Sequence, residues 1–242
     1  MEKIDAGSMR TPTLPPPLTD QAESVERAWN VFLWIGYGVL ALVVVLVLWV
    51  VVRYRRRDDR LPRQTHYNIP IEITYTAIPL LIVFGLFAVT FVTVRAIEDL
   101  DDEPDQVVEV VGYQWSWEFT YPDAGVTIVD VEDDEDPVLV LPASSTVRFD
   151  LESADVIHSF WITAFRFKRD MIPGSASSFR VDIGDTTGWF PNTGVCAEFC
   201  GLDHARMQFS VRILPPDEFD AWLAAQPTGR PVTGLADIGD PT

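Results

Sequence analysis

Both cysteines of the chain, one of its three histidines and one of its four methionines lie between Gly194 and Met207. The spacing is Cys196-x3-Cys200-x3-His204-x2-Met207. Thiolate, imidazole and thioether are the soft and borderline donors that suit copper. Methionine argues against zinc, whose sites use cysteine, histidine and carboxylates. The spacing also differs from the C-x2-C pairs of zinc ribbons and thioredoxin-like motifs. A mononuclear blue-copper site takes one thiolate, two imidazoles and a weak thioether, so a single copper leaves one sulfur unexplained. Two coppers bridged by both sulfurs would use both, and would need one more imidazole. His158, in Asp155-Val156-Ile157-His158-Ser159, is the candidate. The competing reading is a disulfide between Cys196 and Cys200 in an extracytoplasmic domain, which two cysteines alone would favour.

The run from Cys196 to Met207, the upstream Asp-Val-x-His-Ser ending at Ser159, and Gln114-Trp115-x-Trp117 together resemble subunit II of cytochrome c oxidase. The resemblance extends from about Ala28 to Leu223, most of the chain. It implies a dinuclear purple copper centre, CuA. Cys196 and Cys200 would bridge the two coppers, and His158 and His204 would each ligate one. Met207 would give a weak thioether and Glu198 its backbone carbonyl. The Glu198 side chain would then be free to reach a magnesium or manganese ion shared with subunit I. Spacing alone favours a solvated surface glutamate instead. Trp115 corresponds to the aromatic residue where electrons enter, with Trp117 next in line, although a strand tryptophan is usually core. The family usually has an aromatic residue between them, and Ser116 stands there in this chain. Asp170 matches a family segment near the subunit I boundary. Glu72, seven residues before Pro79, corresponds to a glutamate at the mouth of a proton path into subunit I. Its other reading is a carboxylate at a helix N-terminus. Haems and the remaining copper, CuB, would belong to subunit I alone.

These residues need elements to hold them. Val31 to Val52 and Ile73 to Val94 are each 22 residues without a charge. At 1.5 Å per residue each spans about 33 Å, enough for a bilayer core. Trp29, Trp34 and Trp49 sit near the ends of the first, where amphipathic rings favour the interface. Between the spans lie Arg53, Arg55, Arg56, Arg57, Arg60 and Arg63, which mark a cytoplasmic loop by the positive-inside rule. Both termini and the metal-binding part would then be extracytoplasmic, in a bacterial or archaeal cell membrane. Pro79 should kink the second span, which a membrane bundle tolerates. No apolar signal-peptide core precedes Ala28. The consecutive prolines of residues 1–27 favour extended chain over packed structure, so this segment is expected to be disordered.

From about Glu98 the chain turns strand-like. Gln106 to Tyr121 is rich in Val, Tyr, Trp and Phe, with Trp115, Trp117 and Phe119 at period two and hence on one sheet face. Residues 137–141, 146–151, 178–183 and 208–213 continue the pattern, which suggests a sandwich or barrel. The resemblance sharpens this to a cupredoxin-like Greek-key β-barrel over 98–225, following a two-helix transmembrane hairpin over 28–97. His158 would sit in one loop and Cys196 to His204 in the loop before the last strand. Asp217 to Leu223 reads as a short amphipathic helix with an acidic start, and 226–242 as a disordered tail.

The net charge of −18 excludes nucleic acid as a natural partner. Residues 98–242 hold 28 acidic and 8 basic residues, concentrated at Glu98 to Asp105 and Glu132 to Asp136. Such a field would steer a basic cytochrome c to the surface, although solubility or life in high salt would also select it. The expected function is subunit II of a proton-pumping oxidase. It would take electrons from cytochrome c and pass them to haem in subunit I, with subunit III and membrane lipid as further partners. The alternative is a membrane-tethered CuA subunit of another reductase, such as a nitric oxide reductase. A quinol oxidase subunit would lack these copper ligands.

Overall fold

The computed structural model describes residues 15–56, 65–100, 103–129, 136–229 and 231–233. They form two compact units: Ser24–Ala96, and a second unit of the N-terminal residues up to Glu23 with Ile97–Thr242.

The first unit holds all but the ends of two long helices, α1 (Asp20–Arg53) and α2 (Ile69–Ile97). Both are long and apolar enough to cross a membrane. Their Val, Leu, Ile and Phe side chains are exposed along almost the whole length. A soluble protein does not leave such continuous apolar surface in water, and lipid is the solvent that accepts it. α2 continues through Pro79. It starts with Asn68, whose Oδ1 accepts the N–H of Ile71 at 3.4 Å, while Glu72 Oε1 accepts the N–H of Asn68 at 2.9 Å. Glu72 therefore has a capping role at the first turn.

α1 begins well before the uncharged run at Val31. Thr19 Oγ1 accepts the N–H of Ala22 at 3.0 Å, and Asp20 and Glu23 lie in the first turn. A threonine cap followed by acids is a helix start, and it corrects the expectation of disorder through residue 27. Residues 1–14 lie outside the described residues, as do Arg57, Arg60 and Arg63 of the basic loop.

The second unit is a two-sheet sandwich. Its strands are β1 (Gln106–Tyr113), β2 (Ser116–Tyr121), β3 (Val126–Val129), β4 (Val138–Pro142), β5 (Ser145–Ser153) and β6 (His158–Ile162). They continue as β7 (Phe167–Met171), β8 (Ser177–Ile183), β9 (Gly188–Cys196), β10 (Gln208–Leu214) and β11 (Pro231–Thr233). A short helix, α3 (Pro216–Ala225), precedes β11. One sheet runs β11-β3-β2-β1-β5-β8 and the other β4-β10-β9-β6-β7. Sequential hairpins mixed with the parallel pairs β1–β5 and β10–β4 give the crossovers of a cupredoxin-like Greek key. β5 alternates as period two demands, with Val147, Phe149 and Leu151 buried between less buried Arg148 and Asp150. β4 is buried at all of its positions and reads as a continuous apolar run.

Several expectations are corrected here. Gln106 to Tyr121 is a hairpin, not one strand. Trp115 therefore lies in the turn, while Trp117 and Phe119 face the core with Tyr121. His158 opens β6 and Cys196 closes β9, so both are strand-end residues rather than loop residues. Residues 15–22 run against β8 and its neighbours. Leu18 exchanges backbone bonds with Ala164 and Gly184, and the Gln21 side chain pairs with Asp182 at 2.8 and 2.9 Å. Within the tail, Pro231–Thr233 adds a parallel strand beside β3 with Val232 buried; residues 234–242 lie outside the described residues.

Aromatic rings fill the space between the sheets. Phe160 stacks on Phe209 with centroids 5.1 Å apart, and Trp117 meets both rings edge-on at 5.6 and 5.5 Å. Gly194, two residues before Cys196, lies against this stack. A Cβ there would fall 2.2 Å from the Phe209 ring, closer than packed atoms allow. Gly194→Ala must displace Phe209 and should cost about 1–3 kcal/mol, the usual range for overpacking. Denaturant unfolding of the detergent-solubilised chain should show a lowered midpoint, and an unchanged midpoint would mean that the ring has room to move.

Candidate metal centre

β6 and β9 pair antiparallel, with Phe160 opposite Cys196. Ala197 donates to the Ser159 carbonyl at 2.9 Å, which ties the first residue of the loop to the strand that starts with His158. Cys196 donates to the Met207 carbonyl at 3.0 Å, closing the 196–207 loop at its base. A single helical turn, His204–Arg206, folds the far half back. Residues distant in sequence are thus brought together by sheet register and one short loop.

Six donor atoms converge. Cys196 Sγ lies 3.8 Å from Cys200 Sγ, 3.8 Å from His158 Nδ1 and 3.2 Å from the Glu198 carbonyl oxygen. Cys200 Sγ lies 3.5 Å from His204 Nδ1 and 3.7 Å from Met207 Sδ. Both cysteines are free thiols, buried with His158 and Met207. A disulfide needs sulfurs about 2.05 Å apart, so the disulfide reading fails on this geometry. Donor atoms about 2.0–2.3 Å from one borderline metal, in tetrahedral disposition, lie about 3.3–3.8 Å from one another. Four of the five separations fall in that range and the fifth, 3.2 Å to the Glu198 carbonyl, lies just below it, so the donors fit a metal site. Among the described residues, His158, Cys196 and Cys200 form the group of side chains close enough to hold one ion.

The electrostatics point the same way. Burial pushes the Cys196 thiol up, but the neighbouring His158 ring and the Glu198 and Ser159 backbone outweigh it and bring the thiol well below its ordinary range. Burial and then the charge of Cys196 push Cys200 up. Two thiolates side by side repel, so without a cation the pair holds one proton between them. A bound metal ion removes that conflict.

Around the donors lies a polar shell whose roles sequence reasoning did not assign. The carbonyl of Cys200 accepts the Gln114 side-chain amide at 2.7 Å and the Trp115 indole N–H at 3.3 Å. Gly201 adopts φ +125, and a Cβ there would meet those two donors at 3.0 and 3.1 Å. Only glycine allows both the backbone conformation and the approach. The Gln114 backbone N–H donates at 2.8 Å to Asp155, whose other oxygen lies 2.9 Å from His158 Nε2. Burial works against ionised Asp155, yet these hydrogen bonds hold its carboxyl below the usual range. Gln114 and Asp155 each open one of the motifs that carry the family resemblance, but a glutamine and an aspartate in a loop carry no spacing signal that gives them a role.

The other sequence candidates separate. Trp115 is half-buried at the hairpin turn and touches the cysteine loop, whereas Trp117 is wholly buried core. The Glu198 side chain is exposed, and only its carbonyl joins the cluster. Asp170 on β7 lies outside the cluster, accepting the Ser159 hydroxyl at 2.8 Å. Glu72 belongs to the helical unit. Glu132 to Glu135 of the acidic run lie outside the described residues. Unforeseen are two apolar side chains at the loop surface, Phe199 at 77% exposure and Leu202 at 87%.

Comparison with known proteins bears on this site directly. The family described as "Cytochrome C oxidase subunit II, periplasmic domain" matches residues 106–214, and "Cytochrome C oxidase subunit II, transmembrane domain" matches residues 11–93. "Probable cytochrome c oxidase subunit 2" of Streptomyces avermitilis is 36% identical, over 87% of this chain and 77% of the relative. "Cytochrome c oxidase subunit 2" of Mycobacterium bovis is 30% identical, over 85% of this chain and 73% of the relative. The solved periplasmic domain of subunit II of cytochrome oxidase from Bradyrhizobium japonicum is 31% identical. It covers 50% of this chain and 93% of that one, with a TM-score of 0.45. Such identity over nearly the whole length, with both family segments in their order, makes the chain a member of the cytochrome c oxidase subunit II family, which implies a CuA copper centre.

Proposed function

We propose that the chain is the electron-accepting subunit of a proton-pumping cytochrome c oxidase. It takes electrons singly from cytochrome c and delivers them to haem in subunit I, where oxygen is reduced to water. The observation that carries this reading is the convergence of six copper-compatible donor atoms, with two unbonded thiols at their centre. No relative reported above belongs to another reductase, so nothing supports a nitric oxide reductase subunit.

Cys196 and Cys200 would be the thiolates shared between two coppers, His158 and His204 would each hold one, and Met207 and the Glu198 carbonyl would be the weak ligands. The bound centre supplies a one-electron store whose charge is shared over two metals. The chain's own part is to hold the donors in place before metal arrives. A strand-end histidine, a strand-end cysteine and a short closed loop leave little to rearrange, which suits fast transfer.

Trp115 is the entry contact. Its indole N–H on the Cys200 carbonyl and its half-exposed position support a path from the surface to a bridging ligand. Trp117 is too deep to meet a partner. The exposed Glu198 side chain, beside apolar Phe199 and Leu202, would face subunit I and share a magnesium or manganese ion with it. Asp170 lies near the same boundary. Glu72 opens a proton path on the cytoplasmic side, in addition to its capping bond. The orientation follows from the basic loop: cytoplasm between the helices, with both termini and the metal domain outside. The acidic surface draws in a basic cytochrome c over about a Debye length, roughly 8 Å at physiological salt. Subunit III and lipid complete the surroundings.

Copper loading of the detergent-solubilised chain tests the reading. Two coppers per chain, a purple colour and a mixed-valence electron spin resonance spectrum are expected. A colourless chain with a quantitative Cys196–Cys200 disulfide would sink it. Substitution then separates the ligand roles. Met207→Leu should keep copper and shift its potential, because axial ligands tune more than they hold. Cys196→Ser or Cys200→Ser should abolish the dinuclear spectrum, and equal copper loss from all three variants would show the roles to be wrongly assigned. For electron entry, Trp115→Phe should slow transfer from reduced cytochrome c at every ionic strength. Binding and the copper spectrum should hold, because Gln114 still donates to the Cys200 carbonyl. An unchanged rate would remove Trp115 from the path.

A further inference from the structure

Asp155 has no part in the ligand set, yet its bonds converge on one ligand. It lies in the turn between β5 and β6, where Oδ1 is 2.9 Å from His158 Nε2 and accepts the Val156 N–H at 2.6 Å. Oδ2 accepts the Gln114 backbone N–H at 2.8 Å. Two backbone donors from different segments thus aim this carboxylate before the histidine meets it. The His158 side chain is fully buried, with Nδ1 3.8 Å from Cys196 Sγ. A neutral imidazole has one N–H and one lone pair. An ionised carboxylate can only accept, so the proton belongs on Nε2, and Nδ1 is left bare on the side of the cysteines.

We propose that Asp155 is a positioning residue for the metal centre: it holds His158 in the Nε2-protonated tautomer and aims the free Nδ1 at the metal. The inference rests on the copper reading above and deepens it. Gln114 joins the arrangement to the rest of the site, because its backbone orients Asp155 while its side chain holds the Cys200 carbonyl. One residue thereby ties the orientation of a histidine ligand to that of a bridging cysteine. The role is orientation rather than folding. The Asp155 side chain is 33% exposed, and a pairing so exposed adds little to stability. Carboxylates behind metal-bound histidines raise the ligand's donor strength, and their loss typically weakens metal binding by roughly 10–100-fold.

The test uses the full chain in detergent, as wild type, Asp155→Ala, Asp155→Asn and Glu152→Gln. Glu152→Gln removes a nearby charge of the same strand end without touching the histidine. Copper affinity is measured by chelator competition, the reduction potential by redox titration, and the His158 ring N–H by nuclear magnetic resonance. Asp155→Ala should bind copper roughly 10–100-fold more weakly. Its potential should rise, because a weaker imidazole donor favours the reduced state, and the ring N–H should exchange faster with water. Asp155→Asn, which keeps an acceptor oxygen, should recover most of the affinity, and Glu152→Gln should match wild type. Wild-type affinity, potential and exchange in Asp155→Ala would overturn the inference, as would an equal potential shift in Glu152→Gln. If the wild type forms no dinuclear centre, the copper reading fails by itself. The ring N–H of the reduced, metal-free chain then decides the tautomer: a proton protected on Nε2 in wild type and lost to fast exchange in Asp155→Ala supports the inference, and equal exchange overturns it.

Discussion

Two sulfur atoms held 3.8 Å apart without a bond between them are the constraint on which the rest of the domain depends. Left alone, such a pair has two ways out. It can oxidise to a disulfide, or it can keep a proton, with Cys196 ionised and Cys200 protonated. A cation between the sulfurs is the third. The fold must therefore keep the thiols close enough to share metal and stop them collapsing onto each other. The closed base of the 196–207 loop and the clamp on the Cys200 carbonyl do this, because each fixes backbone rather than the sulfur itself.

The frame that carries the loop is stiff for ordinary reasons. β6 and β9 are neighbours in a sheet whose inner face is packed with stacked rings, and Gly194 lets Phe209 lie flat against the strand that ends in Cys196. Trp117, adjacent to the His158 ring at 6.3 Å, belongs to that packing. Metal ligands at the ends of well-packed strands inherit the rigidity of the core. The side chains that face outward near them, Phe199 and Leu202, are the opposite kind: apolar, exposed and outside that packing.

How far the sequence foretold this depends on what kind of signal each part leaves. Five of the donors stood out because cysteine, histidine and methionine are scarce and their spacing is read directly, whereas the Glu198 carbonyl was expected only from the family resemblance. Long uncharged runs foretold both helices, and alternation foretold β5 and β8. The start of α1 was missed because a proline-rich segment outweighed a single threonine cap. Trp115 was put on the wrong face because period two was counted through a turn. β6 and β9 were missed because a polar His-Ser start and the Gly, Pro and Asn of 188–194 break the pattern. Gln114 acts through hydrogen bonds across 41 and 86 residues of chain, which no local pattern encodes, and the Asp155–His158 contact depends on the shape of the turn between β5 and β6. The short strand at Pro231–Thr233 exists only because β3 offers an edge.

The central claim is that two metals share the two sulfurs. X-ray absorption at the copper edge of the loaded chain measures this without reference to activity. The account predicts a copper–copper scattering vector together with two sulfur neighbours per copper and one imidazole each. Copper with a single sulfur neighbour and no copper–copper vector would contradict it, whatever the colour of the protein.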